Sequence, residues 1–495
     1  VTLSGSSLHR PASLEDLERR LQLDLLWLNQ PPKAWLPRTE VDSAEVLDVA
    51  VIGGGLCGLV TLAALKKVGI CNVRAFDRAP KGREGPWITY ARMETLRTRK
   101  DAAGPALGIP SLTFRAWFEA QYGAQAYLDM GLIPRPMWMD YLVWYRRVLD
   151  LDVVNDATLS AIGFREAGLI ALDFERAGAK EQVLARRVVL ATGLDGLGAP
   201  TLPDVAARVP SRFVKHGADV IDMASLKGKR VSVVGAGASA MDNAAAALEA
   251  GAARVDIFVR RADIPRVDKF TGVGNQGMTQ GYVGLPDADK WTYMVAGERA
   301  QIPPPRHSVL RVSRHLNAFF HLASPISELV EAGDAVDVVT PKGRYRTDLV
   351  IFATGFSVDF GKRPEFSALA GKILLWRDAY TPPAGWEHEG VGSTPYLGPS
   401  FEFLPKPGLD PGLAASVSRV ACFAYPAVPS HGKITSGIPS ISDGAARLAT
   451  GLARSLFVED RTYHLDRFLA FDTPELLGDE WTDADVDEDM SIANG

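Results

Sequence analysis

The chain has 495 residues, 47% of them hydrophobic, and carries a formal net charge of −5. That length exceeds what one hydrophobic core usually organises, so two packed domains, or one large domain carrying an insertion, are expected. No long basic run offers the footprint that nucleic acid needs, no stretch approaches roughly 18 uninterrupted apolar residues, and the N-terminus lacks the basic-then-apolar plan of a secretory signal; the expectation is a soluble, cytoplasmic protein without nucleic-acid or membrane partners.

In chain order, residues 1–45 form an N-terminal extension with one amphipathic helix, for which Ser13 is the cap, Asp16 sits in the first turn and Pro31 and Pro32 are the stop. From Leu47 an apolar strand, a glycine-rich turn, an Ala/Leu-rich helix and the strand NVRAF reaching Asp77 predict a βαβ unit. Residues 111–150 read as mostly helical, and RRVVLATG as a strand closing at Gly193. A second βαβ unit starts at Lys229 and runs to VDIFVRR. From about 262 to 325 an irregular stretch is expected, broken by TGVGNQG and IPPPR; TDLVIFATGF (347–356) reads as a strand, and residues 377–413, rich in Gly and Pro, as a long loop. A last helix lies near SDGAARLATGLARSLF, and the acidic tail beyond about 472 is expected to fray.

The two βαβ turns carry the chemistry. Gly53, Gly55 and Gly58 make GxGxxG between strand and helix: one glycine for the tight turn, one for the approach of a pyrophosphate, one for close helix–strand packing. Asp77, with Arg78 beside it, arrives 22 residues after Gly55, where a carboxylate accepts hydrogen bonds from a ribose with a free 2′-hydroxyl. The second turn has Gly235, Gly237 and Ala240 as GxGxxA, with Ser239 inside it as a pyrophosphate contact, yet its next strand ends in Arg260 and Arg261. Guanidinium groups there attract a 2′-phosphate that a carboxylate would repel. FAD at the first turn and NADPH at the second are the cofactors expected. The three cysteines, Cys57, Cys71 and Cys422, form no close-spaced pair, which argues against a disulfide framework, a zinc site or a redox-active disulfide beside the flavin. Cys57 is read as packing.

The order of the FAD fingerprint, GPW (Gly85–Trp87), VVLATG, GAGASA and IFATGF resembles the class B flavoprotein monooxygenases, which include flavin-containing, Baeyer–Villiger and N-hydroxylating enzymes, over about residues 47–460. SHGKITSGIPSISDGAARL is similar to the segment passing near the isoalloxazine in the N-hydroxylating branch, and TPYLGPSFEF resembles oxygenases related to the amino-acid N-oxygenases. The FxGxxxH stretch is absent: Pro210 and Arg212 stand where Phe and Gly would, although His216 remains. With the fingerprints, the resemblance implies an α/β fold of two Rossmann-like dinucleotide-binding domains, an NADPH domain (206–345) inserted into an FAD domain (46–205 and 346–470, the second part with the substrate-pocket loops), followed by an acidic tail (471–495). It implies that NADPH reduces FAD, that a flavin C4a-hydroperoxide forms with O2, and that a small nucleophilic substrate is oxygenated. N-hydroxylation of an amine or amino acid is the first expectation; Baeyer–Villiger or sulfur oxygenation, or an NADPH-dependent flavin reductase without oxygen transfer, are the alternatives. Neither a metal nor a covalent nucleophile is required, and a homo-oligomer stays open.

By the same resemblance Trp87 covers the flavin, Thr192–Gly193 and Thr354–Gly355 contact cofactors through their backbone, and Ser436 and Gly437 lie near the ring. Lys100 is a flavin-side candidate: with Arg97 and Arg99 it could hold a flavin phosphate or a substrate carboxylate, or form a solvated face. His216 reads as a satisfied surface histidine before a linker hydrogen-bond residue. Trp138, Tyr141 or Leu142, and Tyr145 share one helical face and are read as core first, pocket wall second.

Overall fold

Val46–Ile52 is a continuous buried run, apolar except for Asp48, the pattern of a central parallel strand covered on both faces. In the structure, a computed structural model describing residues 10–194, 196–435 and 437–484, this strand (Ala44–Ile52) lies between Val73–Phe76 and the long strand Ala179–Leu190, parallel to both. Val153–Val154 extends the sheet beyond Val73–Phe76, and Val420–Cys422 joins on the far side of Ala179–Leu190, again in parallel. The antiparallel meander Thr158–Phe164, Ile170–Arg176 and Ala179–Leu190 feeds this parallel core. Helix Leu56–Lys67 follows the first strand, as the βαβ pattern requires.

A second sheet is parallel throughout, in the order Ala318–His321, Arg254–Phe258, Arg230–Val234, Leu349–Phe352 and Val214–His216. Helix Ala238–Glu249 packs its alanines and Met241 on Val231, Val233, Val255 and Ile257. On the other face a three-stranded meander spanning Glu328–Thr347 buries Leu329, Val336 and Val338 against Phe258, Val350 and Phe352. Strand Leu349–Phe352, which the sequence places at the head of the second flavin segment (346–470), is hydrogen-bonded into this sheet, so the chain crosses back at Ala353–Gly355. A two-stranded antiparallel ribbon, Gly198–Pro200 with Phe356–Val358, joins the outgoing and returning strands.

The stretch expected to be irregular contains the short helix Gln276–Gly281 and two longer ones, Asp287–Ala300 and Arg306–Ser313. Helix Asp287–Ala300 has three buried large apolar anchors, Trp291, Met294 and Val295, which pack with the nearby Tyr282 and with Trp376 and Val391 from a distant part of the chain. Within 377–413 short helices Glu389–Gly392 and Pro411–Val417 replace part of the expected loop. Ser13 does cap the first helix (Leu14–Trp27), accepting from Asp16 N at 3.1 Å. Trp138, Tyr141 and Tyr145 are core, with the Tyr141 and Tyr145 hydroxyls donating to the Leu112 and Pro105 carbonyls.

By packing, the chain divides into residues 1–453 and residues 454–495. The second unit holds the end of helix Ile441–Glu459 and helix Arg461–Leu469; of the acidic tail, residues 485–495 lie outside the described residues. No helix among the described residues is long and apolar enough to cross a membrane.

Candidate functional site

Each glycine of the first turn has a distinct steric reason. Gly53 has φ +109°, and a β-carbon there would lie 2.5 Å from the Ala191 carbonyl oxygen. At Gly58 it would lie 1.8 Å from the Gly53 oxygen, so helix Leu56–Lys67 can dock on its strand only without a side chain. Gly55 differs: its nearest neighbours would be backbone atoms of Gly85 at 3.8 Å, so what keeps this wall bare is not the protein's own packing. Gly55 is also the helix N-cap and provides no side-chain cap, leaving the first-turn N–H groups for an anion. Asp77 accepts from Gly54 N through Oδ2 and from Ala79 N through Oδ1, both at 2.7 Å; each oxygen keeps a second lone pair for a ribose hydroxyl. Arg78 is exposed beside it.

The second turn repeats the plan. Gly235 has φ +137° and backs onto the Ala353 carbonyl oxygen, 2.7 Å from where a β-carbon would stand; Gly237, again a bare N-cap, has no atom within 4 Å of that position; and the Ala240 methyl fits 3.3 Å from the Gly235 position. The two Ala-Thr-Gly segments thus play the same part, each pressing its alanine carbonyl against a fingerprint glycine. Gly193 and Gly355 turn the chain with φ +78° and +81°. Thr192 Oγ1 donates to the Gly196 carbonyl at 2.9 Å and ties its own loop, whereas Thr354 Oγ1 donates to the Thr201 carbonyl and ties the returning segment to the outgoing one.

One cleft of about 1090 Å³ has Gly237, Arg260, Thr354, Trp87, Lys433 and Ile438 in its lining. Trp87, in that lining, meets the indole of Trp138 edge-on, centroids 6.2 Å apart, and each keeps a buried N–H with no acceptor among the described residues. Two unanswered donors beside the Gly55–Gly85 gap match a cofactor rich in acceptor atoms, and the residues present fit FAD there. The nicotinamide nucleotide fits along the cleft from bare Gly237. Arg260 lines it and has no hydrogen-bond partner among the described residues, whereas Arg261 donates to the Arg299 carbonyl at 2.9 Å.

The wall facing Trp87 is rigidly built. His431 is stacked on Phe401, centroids 3.8 Å apart, with Nε2 3.0 Å from the Gly398 carbonyl; burial pushes its pKa down to about 3, so the ring is neutral. Gly432 sits against the Tyr282 ring, and Thr435 Oγ1 donates to the Ala424 carbonyl at 2.9 Å. Between them Lys433 places its ammonium 3.6 Å above the Phe270 ring centre. Phe270 in turn lies on Gly297, where a β-carbon would come within 2.4 Å of the ring. Burial lowers the Lys433 pKa.

Several expectations need correction. Lys100 is not a flavin-side group: its ammonium donates to the carbonyls of Tyr127, Leu128 and Met130, capping helix Phe114–Asp129, and its three protons are all engaged there. Arg99 pairs with Asp101 on the surface, and Arg97, although it lines the cleft, is held by the Pro303 carbonyl and Asp268. Ser239 is exposed next to Gly217 and Asn243 instead of lining the cleft. His216 is buried, not a surface histidine: it ends an edge strand beside Phe352, and its Nδ1 accepts from Ala218 N at 3.1 Å. Gly437 does line the cleft, while Ser436 lies outside the described residues. Cys57 donates to the Thr435 carbonyl at 3.2 Å and burial pushes its thiol pKa up to about 12, consistent with packing. Lys433 and Phe270 were missed; the available signal was a charged residue inside the quoted SHGKITSGIPS run.

Residues 45–284 match the family described as L-lysine 6-monooxygenase/L-ornithine 5-monooxygenase. A curated relative, the FAD-dependent urate hydroxylase of Xanthomonas campestris pv. campestris, is 39% identical over 470 residues, which span 95% of this chain and 98% of the relative. Among solved structures, ornithine hydroxylase from Pseudomonas aeruginosa superposes with a TM-score of 0.65 at 16% identity, covering 83% of this chain and 100% of that one. L-lysine 6-monooxygenase from Pseudomonas syringae gives 0.62 at 16% identity, covering 82% and 99%. Bacillithiol disulfide reductase from Bacillus cereus gives 0.51 at 14% identity, covering 83% and 100%. These structural likenesses establish the fold and leave the chemistry to the site.

Proposed function

The chain belongs to the class B flavoprotein monooxygenases, FAD-dependent oxidoreductases, and from that premise we propose that it hydroxylates a small, flat, anionic heterocycle of the urate class, using NADPH and O2. The observation that carries this reading is the near full-length relationship to a urate hydroxylase. The overall change takes two electrons from NADPH, inserts one atom of O2 into the substrate and releases the other as water.

FAD, when bound, supplies the redox chemistry that the side chains lack. The chain's own contribution is binding, orientation and dryness. The N-terminus of helix Leu56–Lys67 and bare Gly55 take the FAD pyrophosphate, and Asp77 takes its ribose. Gly237 and the N-terminus of helix Ala238–Glu249 do the same for NADPH, and Arg260 meets the 2′-phosphate. Trp87, Phe270 and Ile438 give the inner cleft apolar walls that exclude water, which protects a reactive oxygen-carrying state from wasteful decay. We assign the NADPH domain to 206–352, seven residues beyond the 345 boundary expected from sequence because strand Leu349–Phe352 belongs to its sheet. The three free cysteines suit a reducing compartment, and we place the protein in the cytoplasm.

N-hydroxylation of an amine or amino acid is the second reading, favoured by the family match over residues 45–284. Flavin-loaded protein given NADPH, isotopically heavy O2 and, separately, urate, lysine, ornithine and a small sulfide decides between them. Urate-stimulated NADPH oxidation with one heavy atom in the urate product is expected. Label in lysine or ornithine with urate inert would move the assignment to the second reading, and electrons passing to an added acceptor with no labelled product would leave a reductase. For the nucleotide, Arg260→Ala should raise the KM for NADPH about tenfold to a hundredfold, the range of a lost charge-assisted hydrogen bond, and barely change that for NADH. Equal losses for both would remove the 2′-phosphate from Arg260.

A further inference from the structure

Four basic side chains line the long cleft: Arg97, Arg260, Arg261 and Lys433. Arg97 is engaged by the Pro303 carbonyl and Asp268, and Arg261 by the Arg299 carbonyl. Arg260 stands at the offset of the nucleotide ribose. Lys433 remains, with no hydrogen-bond or ion-pair partner among the described residues, in the segment that also gives Gly437 and Ile438 to the lining.

A half-buried ammonium without a counter-ion is costly, and a fold keeps one where something else offsets the cost. The Phe270 face does so in part. That ring is held deliberately: Asp268 Oδ1 accepts from Phe270 N at 3.1 Å while its Oδ2 binds Arg97 at 3.2 Å, and the bare Gly297 lets the ring lie flat. The rest of the balance is left for a negative charge arriving in the cleft. The acids on the same walls, Asp268 and Glu298, favour the charge from a distance without pairing with it: Asp268 is bound by Arg97 and Phe270 N, and Glu298 lies beyond ion-pair distance, so burial still outweighs both and lowers the lysine pKa.

We propose that Lys433, braced on Phe270, is the specificity-determining residue that receives the negative charge of the substrate ring. This rests on the urate-class reading of the same site. An ammonium suits such a ligand, because it is a compact charge with three freely rotating donors and follows a charge delocalised over several ring oxygens and nitrogens more freely than a planar guanidinium fork, which still supplies the positive charge. Phe270 beside it offers an aromatic face to a flat ring.

The test compares flavin-loaded wild type, Lys433→Met and Lys433→Arg, varying urate and NADPH independently and measuring hydroxylated product formed per NADPH consumed. Lys433→Met is expected to raise the KM for urate roughly tenfold to a hundredfold and to divert NADPH oxidation towards peroxide, with the KM for NADPH within about twofold of wild type; Lys433→Arg should recover a substantial part of urate binding. An unchanged urate KM with intact coupling in Lys433→Met overturns the proposal, and a rise confined to the NADPH KM assigns the ammonium to the nucleotide instead. Flavin content and melting temperature of each variant separate a binding defect from misfolding, and a loss in both variants that follows melting temperature would make the lysine structural and overturn the proposal as well. Wild type that is reduced by NADPH yet never oxygenates urate sinks the urate-class reading and this proposal together, whereas active wild type with indifferent Lys433→Met sinks the lysine alone.

Discussion

Alanine at Gly58 is expected to cost roughly 3–5 kcal/mol of stability, at the upper end of what single substitutions do, whereas alanine at Gly55, three residues earlier, should leave the fold standing and strip it of flavin. The reason is what each new methyl would meet. At Gly58 it would be forced against the Gly53 carbonyl at 1.8 Å, and neither partner can move without separating the helix from the strand. At Gly55 the nearest protein atoms are 3.8 Å away, so the methyl intrudes only on the space through which a pyrophosphate approaches. Thermal melts of the flavin-free forms are the proper comparison, because bound cofactor itself stabilises the native state. The Gly55 variant should melt within a few degrees of wild-type apoprotein yet purify without visible flavin absorbance. A Gly58 variant that melts like wild type and holds FAD would refute the packing role.

The second large effect is expected at Arg311. Its side chain is buried and reaches Glu249 at 2.7 Å, Asp242 at 3.5 Å, Glu94 at 3.4 Å and the Arg92 carbonyl at 3.3 Å. Glu94 and Arg92 follow the GPW segment, while Asp242 and Glu249 belong to helix Ala238–Glu249, so one guanidinium ties the flavin-side loop to the nucleotide-side helix. Arg311→Met leaves the buried Asp242 carboxylate without its cation, while Glu249 keeps Arg314 at 2.8 Å, and should lower stability by about 3 kcal/mol near neutral pH. Burial already raises the Asp242 pKa, with Arg311 acting against that rise. A carboxyl whose folded pKa is raised favours the native state when protonated and disfavours it as pH climbs through that pKa. Without Arg311 the Asp242 pKa climbs further, so the variant's deficit should shrink on acidification as Asp242 takes up a proton. Denaturant melts of both proteins across pH 5 to 8, a window on the order of that in which most proteins are most stable, would show it; a deficit that is small or independent of pH would mean that Arg311 is not the electrostatic keystone described.

Both glycine turns were legible in the sequence because their chemistry is local: strand, turn and helix are consecutive, Ala44–Lys67 in one unit and Arg230–Glu249 in the other, and the acidic or basic residue follows at the end of the next strand. Lys433 with Phe270 was not legible, since the pair forms only when helix Asp287–Ala300 presents Gly297 as a floor and segment 431–435 is pinned from above. The same helix is not legible in the sequence because its apolar face is short and Trp376 and Val391, which cover it, are remote. Lys100 shows the converse failure: a basic cluster carries no sign of which carbonyls will claim it, and the C-terminus of helix Phe114–Asp129 claims this one. His216 kept its place in a stretch whose other motif residues are absent, and the physical reason is its burial at the edge of a sheet.

The small ribbon joining the two sheets has an architectural corollary. Pro200 faces Phe356 and Gly198 faces Val358, so everything from residue 201 to 355 leaves and returns through one doorway whose two jambs are already laced together. Gly198 is the latch: a methyl there would strike the Ser357 carbonyl at 1.6 Å. Such a layout makes the intervening segment a transplantable cassette, and chimaeras that splice a relative's nucleotide module at Pro200 and Phe356 inherit the seam ready made.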